Sequence, residues 1–301
     1  MKRDLIRLAG VVALLAAACA SPASQAVTLQ ASTAPTPTME PLRTPTPTPT
    51  STPTSEPTPT PVPPQMLADA PTYCVAPEKG EPQDIVSTPA SPYFVRQPTE
   101  NNPNVPTIVF LGGGWGSRRS AQRVWANYLS GGRGVDAFRV VLPYSVDVAF
   151  TDYEAHRTFK VVDEVLACYG GDPAQVHLAG FSNGGITAFD LMLERPDRFA
   201  TLLGAPGLFT LYTTPNQWAE ALCGKAVFNG VGSADDGWKQ DVRTNYEGLQ
   251  SVGIESVYVE FAGQGHSLSE AFDETVFIDF WRAHGPGKAP NLTDAKGHCR
   301  A

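Results

Sequence analysis

From about Cys74 onward, two spacings of apolar residues alternate along the chain. Short β-rich runs cover Thr107 to Leu111, Phe138 to Leu142, Val176 to Ala179, Ala200 to Leu203, Ala226 to Val231 and Ser256 to Phe261. Between them, apolar residues recur at helical spacing: Phe159, Val162, Leu166 and Tyr169; Ile186, Phe189 and Leu193; Trp238, Val242, Tyr246 and Leu249. A last stretch carries Leu268, Phe272, Val276 and Phe280. Strands alternating with helices predict an α/β fold with a mostly parallel central sheet and helices on both faces. The connection between the Ala200 and Ala226 runs is short, so a minimal lid or none is expected, and an open site.

The first 66 residues break this pattern. Residues 1–19 have a basic start (Lys2, Arg3, Arg7), an apolar run from Leu8 to Ala18 and then Cys19, the layout of an export signal. The run is too short to span a bilayer. Leu14-Leu15-Ala16-Ala17-Ala18-Cys19 resembles a bacterial lipobox, with Ala16 where that motif usually has Leu. The resemblance implies a lipoprotein signal peptide, lipidation of Cys19 and an extracytoplasmic, membrane-anchored protein. Plain signal cleavage, giving a soluble secreted protein, is the alternative. Residues 20–66 are rich in Thr and Pro, too poor in apolar groups to offset folding entropy, and read as a disordered tether. Proline holds such a chain near polyproline II, at roughly 3.1 Å per residue. Its threonines are sites where O-glycosylation can occur. Residues 67–301 remain as one domain with one sizeable core.

Charge and cysteines exclude several functions. The chain has 22 Lys and Arg against 30 Asp and Glu, a formal charge of −8, and no cluster of five or more basic residues. Nucleic acid is therefore not an expected partner. Export would place the four cysteines beyond Cys19, namely Cys74, Cys168, Cys223 and Cys299, where disulfides persist. Three pairings exist; Cys168 with Cys223 is preferred, leaving Cys74 with Cys299 to tie the ends of the domain. No Cys-x-x-Cys spacing occurs, so no metal is expected.

The chemistry centres on Gly180-Phe181-Ser182-Asn183-Gly184-Gly185, after the Val176 strand and before the Ile186 helix. This is G-x-S-x-G in a strand-to-helix context: the serine needs a strained turn to lift its oxygen above the sheet, and side chains two before and two after would collide. The N–H groups of the following helix favour negative charge at the turn. A serine hydroxyl needs a base to take its proton. Of the five histidines, His266 in Gly263-Gln264-Gly265-His266 follows a strand and precedes the last helix, where a sheet-edge loop would present it. His156 lies in a helical stretch, His177 inside a strand, and His284 and His298 at or beyond the last helix. Leu111-Gly112-Gly113-Gly114-Trp115-Gly116 follows an early strand, and glycine lets backbone N–H groups approach a substrate closely. A nucleotide site is not supported: no G-K-[ST] follows, and G-x-G-x-x-G fails at its last glycine. No cofactor is expected.

On these motifs the chain resembles the α/β-hydrolase family, and within it small secreted esterases and polyester depolymerases with a G-x-S-x-G-G turn. The similarity spans nearly all of residues 105–284 in the order oxyanion loop, Ser, Asp, His. It implies Ser182 as nucleophile, His266 as base, and an acid between them. Gly232-Ser233-Ala234-Asp235 resembles the family's G-x-x-D, favouring Asp235; Asp236 is the alternative, expected otherwise to cap the helix that follows. The oxyanion donors implied are the N–H of Asn183 and one from Gly113 or Gly114. The family usually has His before these glycines, a place taken here by Gly112. The activity implied is hydrolysis of a small-molecule or polymeric ester through an acyl-enzyme. A peptidase using the same residues and a non-catalytic binding module on the same fold are the alternatives.

Overall fold

The computed structural model describes residues 67–285, apart from 77, 79, 87, 100, 101, 103, 147–155, 211–212 and 270. The signal-like segment with Cys19, the Thr-Pro stretch, His298 and Cys299 lie outside the described residues. The chain divides into two units, Met1–Pro57 and Thr58–Ala301, and the described residues belong to the second.

Eight strands form one sheet in the order β1-β2-β4-β3-β5-β6-β7-β8. They are β1 (Gln83–Ile85), β2 (Tyr93–Arg96), β3 (Thr107–Leu111), β4 (Arg139–Pro143), β5 (Val176–Gly180), β6 (Thr201–Gly204), β7 (Ala226–Gly232) and β8 (Glu255–Phe261). From β4 to β8 across the sheet every pairing is parallel, while β1 and β2 add antiparallel on the β4 side. The six strands read from the apolar runs are β3 to β8. Strands β1 and β2 escaped that reading, being three and four residues long, too short to show a period.

Alternation along the strands divides the core into two layers. Val109, Leu111, Val141 and Val227 pack with one cluster, whereas Ile108, Phe110, Val140 and Phe228 pack with the other. Helices α2 (Arg157–Tyr169), α3 (Asn183–Glu194), α4 (Pro215–Ala221) and α5 (Lys239–Ser251) contribute to the first; α1 (Arg118–Val124) and α6 (Thr275–Ala283) contribute to the second. The sheet is thus covered on both faces, as parallel sheets require. A turn of π-helix, Trp125–Leu129, continues α1.

Two helices differ from their apolar spacing. Helix α6 begins only at Thr275; Leu268 is buried but in a loop, its N–H donating to the Tyr128 hydroxyl at 3.3 Å. Trp238 precedes α5 rather than lying within it. Between β6 and β7 the described residues hold only α4, seven residues long, whose Trp218 stacks on Phe209 at 4.7 Å.

The expected disulfide pairing is corrected. Cys168 bonds Cys74, with Cα atoms 5.5 Å apart. Cys168 lies in the last turn of α2. The segment entering the domain runs across that turn: the Leu67 N–H donates to the Cys168 carbonyl at 3.1 Å, and the Tyr169 hydroxyl to the Val75 carbonyl at 2.9 Å. Cys223 is disulfide-bonded as well. The Cys74–Cys168 bond closes a loop with a sequence separation of 94, so replacing both residues with Ser should lower unfolding free energy by about 2 to 4 kcal/mol. Denaturant titration of the double variant checks this, an unchanged midpoint being the contrary result.

A second expectation concerns acid stability. His177 stands inside β5, its Nδ1 2.9 Å from the Thr201 hydroxyl, its ring against Phe138 and Trp281. Burial, with a smaller contribution from His284, pushes its pKa down from 6.5 to about 3. The unfolded chain therefore binds this proton and the folded one does not between those values, so stability is full above pH 6.5 and falls as pH drops towards 3. Melting curves should show a steeper fall from pH 6.5 to 4 for the parent protein than for His177→Gln. Parallel curves would contradict this reading.

Candidate active site

Strand β5 ends at Gly180, and α3 starts at Asn183, so Phe181 and Ser182 carry the whole reversal. Ser182 has φ 57° and ψ −125°, and among the described residues it is the one non-glycine with positive φ. Such a conformation costs on the order of 1 to 3 kcal/mol and persists only where surroundings impose it. Here they do. A Cβ on Gly180 would lie 2.1 Å from the Gly184 carbonyl oxygen, and one on Gly184 would lie 2.4 Å from that of Leu111. The Phe181 N–H donates to the Leu111 carbonyl at 3.0 Å and the Ser182 N–H to that of Pro206 at 2.8 Å. The turn is thereby pinned to the ends of β3 and β6, at the C-terminal edge of the sheet, where open α/β sheets place their ligands.

His266 reaches this serine from the loop between β8 and α6. Its Nε2 is 2.9 Å from Ser182 Oγ, and its Nδ1 is 2.8 Å from Asp235 Oδ2. The ring is flanked by Phe181 and Trp238, with centroids at 5.2 and 5.4 Å. The other described histidines serve elsewhere: His156 meets Glu194, His177 is in the core, and His284 meets Glu255 and the Phe280 carbonyl.

The two neighbouring aspartates are separated by their surroundings. The Asp235 side chain is 7% exposed and faces His266; that of Asp236 is 93% exposed and lies 3.5 Å from Lys239 Nζ. Asp236 does not cap α5, contrary to the expectation from its position. The Asp235 carbonyl instead accepts the N–H groups of Trp238 and Lys239 at 3.1 and 2.9 Å, so the residue whose carboxylate meets His266 also starts the helix. The loops after β7 and β8 are stitched together. The Ser233 N–H donates to the Phe261 carbonyl, and that of Ala234 to the Gln264 carbonyl, at 3.0 and 2.9 Å. A Cβ on Gly232 would come within 2.1 Å of the Gly265 carbonyl oxygen, which explains this glycine.

The glycine loop after β3 lies against the same turn. A Cβ on Gly113 would sit 2.6 Å from the Phe181 ring, and Gly114 has φ +62°. The Asn183 side-chain amide donates to the Gly114 carbonyl at 3.2 Å, while Ser120 Oγ donates to the Gly113 carbonyl at 2.8 Å. Asn183, Gly113 and Gly114 are therefore brought together. Apolar spacing gave no sign of Ser120, yet it braces the loop: a Cβ on Gly112 would meet Ser120 Oγ at 2.5 Å. Beside the site opens a cavity of about 260 Å³, with Gly113, Gly114, Trp115, Tyr128, Phe181 and Ser267 in its walls. No group of three His, Cys, Asp or Glu among the described residues is arranged to hold a metal ion.

No protein-family model matches this chain, and no curated protein matches it in sequence. Solved structures do resemble it. The feruloyl esterase module from Clostridium thermocellum, a Ser-to-Ala mutant complexed with sinapinate, is 13% identical with a TM-score of 0.50, covering 79% of this chain and 96% of the module. The acetyl xylan esterase from Aspergillus awamori is 14% identical with a TM-score of 0.46, covering 67% of this chain and 99% of that one. A thermostable esterase is 19% identical with a TM-score of 0.45 over 67% of this chain; this chain spans 60% of that esterase's length. The likeness to the feruloyl esterase module, together with the strand order, shows the α/β-hydrolase fold.

Proposed function

We propose that this chain is a serine hydrolase that cleaves carboxylic esters through an acyl-enzyme. One observation carries the reading: Ser182, His266 and Asp235 form a continuous hydrogen-bonded chain at the C-terminal edge of the sheet, with the serine held on a strained turn. A non-catalytic module has no use for a strain that only reactivity makes worthwhile.

Each residue has one task. Ser182 Oγ attacks the carbonyl carbon while its proton passes to His266 Nε2, 2.9 Å away. The Asp235 carboxylate on Nδ1 fixes the ring's orientation and stabilises its positive charge. The negative oxygen of the tetrahedral intermediate is met by the backbone N–H of Asn183 and one from Gly113 or Gly114, at the start of α3, where the helix dipole adds to the effect. Collapse expels the alcohol, which takes the proton from His266. A water, deprotonated by the same nitrogen, then attacks the acyl-serine, releasing the acid and restoring Ser182.

The test is a series of p-nitrophenyl esters from acetate to palmitate beside a peptide p-nitroanilide, with the full chain in detergent. Esters should be cleaved far faster than the anilide, and short soluble ones without a rate jump at the substrate's solubility limit, since the described residues of the β6–β7 connection hold only α4. Faster cleavage of the anilide would replace the ester reading with a peptidase.

The same reading takes residues 1–19 as a lipoprotein signal, Cys19 as the lipidated residue and residues 20–66 as a tether holding the 67–301 domain outside the cytoplasmic membrane. A disulfide within the domain fits an oxidising compartment. Cys19→Ser should abolish palmitate labelling and move the protein out of the detergent phase; retention of both would overturn the anchor.

A further inference from the structure

Helix α1 carries three arginines, and their surroundings differ. Arg118 has a carboxylate partner, with Asp84 Oδ2 2.6 Å from its Nη2. Arg119 and Arg123 have none among the described residues. Both instead line the 260 Å³ cavity beside Ser182, with Asn127 one further turn along. The spacing 119, 123 puts the two arginines on one face of α1, and Asn127 joins them from the π-helical turn. The cavity walls they share hold Gly113 and Gly114, the aromatic rings of Trp115, Tyr128 and Phe181, and no Asp or Glu among the described residues.

Local electrostatics do not favour this arrangement. Like charges at i and i+4 repel, and Arg119 stands in the first turn of a helix, where a cation is disfavoured. A chain with a net charge of −8 has acidic groups in plenty to neutralise a cation, yet none of those described does so here. Two guanidinium groups, an amide and three rings around a small cavity supply fork-shaped donors for a carboxylate and flat apolar surface for the carbon skeleton bearing it.

We propose that the cavity beside Ser182 is an anion-binding subsite, and that the preferred substrates are esters carrying a free carboxylate held by Arg119 and Arg123. This rests on the ester-hydrolase reading and names the substrate class for the same site. The carboxylate sits a few bonds from the scissile carbonyl, on the acyl or the alcohol side, because Gly113 and Gly114, beside which the carbonyl oxygen would lie, are among the cavity's walls.

The test compares matched ester pairs, with the full chain in detergent and uncatalysed rates subtracted. Mono-p-nitrophenyl adipate against p-nitrophenyl hexanoate places the charge on the acyl side; p-acetoxybenzoate against its methyl ester places it on the alcohol side. In at least one pair, kcat/KM for the anionic ester should exceed that for the neutral one by about tenfold at low salt. The preference should shrink as sodium chloride rises from about 20 to 500 mM. Arg119→Gln and Arg123→Gln should each reduce the ratio of the two kcat/KM values, and the double variant should bring it near one. The neutral ester serves as internal reference for folding and chemistry, and the salt series needs no variant. Parent ratios at or below one in both pairs, or a ratio unmoved by both substitutions, would overturn the subsite. Failure of the ester-hydrolase reading is distinct: no ester of either pair would then be hydrolysed.

Discussion

Ser182→Ala and His266→Ala are each expected to lower kcat on an ester substrate by about 10⁶-fold, with the double variant no worse than either single one. The reason is geometric. His266 Nε2 has Ser182 Oγ as its partner at 2.9 Å, so removing the nucleophile leaves the base no proton to take, and removing the base leaves a hydroxyl too weak to attack. Groups that act as one unit lose their effect together. Neither change should disturb the fold greatly, since Ala at 182 removes one oxygen and His266 lies partly exposed in a loop. Steady-state kinetics of the three variants checks this. Additive losses would show two independent contributions and contradict a shared proton transfer.

The next largest effect is expected from the acid. Asp235→Asn should reduce kcat by about 10⁴ while leaving the structure intact, because an amide keeps the shape but favours the wrong imidazole tautomer and gives no charge to oppose the imidazolium. The neighbouring carboxylate provides the control. Asp236 is 93% exposed and pairs with the Lys239 ammonium at 3.5 Å, an interaction worth little in water. Asp236→Ala should therefore leave kcat nearly unchanged and stability within about 0.5 kcal/mol. A large loss in the Asp236 variant together with near-normal turnover in the Asp235 variant would exchange their roles.

The order of β3 to β8 with α2, α3, α5 and α6 was legible because a parallel sheet covered on both faces needs apolar runs at strand length, whereas β1, β2, α1 and α4 are too short to show a period. Gly180-Phe181-Ser182-Asn183-Gly184 was legible for a steric reason: backbone oxygens 2.1 and 2.4 Å from the missing Cβ atoms leave glycine as the one residue that fits. His266 was legible as a candidate by its place after β8, since loops at one edge of a parallel sheet converge; the place after β7 left Asp235 and Asp236 side by side, and the resemblance to G-x-x-D favoured Asp235. What failed depended on partners distant in sequence. Cys168 meets Cys74 because residues 67–75 cross the end of α2, and no local pattern encodes that crossing. Asp236 looked like a helix cap because it precedes α5, but the Asp235 carbonyl takes the first helical N–H groups and turns Asp236 to solvent. Ser120 as a brace for Gly113, and Arg119 and Arg123 as cavity walls, emerge only when α1 folds over the glycine loop.

The central claim is that Ser182 is an activated nucleophile, and covalent modification tests it most directly. The full chain would be treated with a fluorophosphonate, followed by intact mass and peptide mapping, beside Ser182→Ala and Asp236→Ala. One phosphonyl group per chain is expected, mapped to Ser182, at an undiminished rate in the Asp236 variant and absent from the Ser182 variant. An unmodified parent chain, or an adduct that persists in Ser182→Ala, would contradict the account.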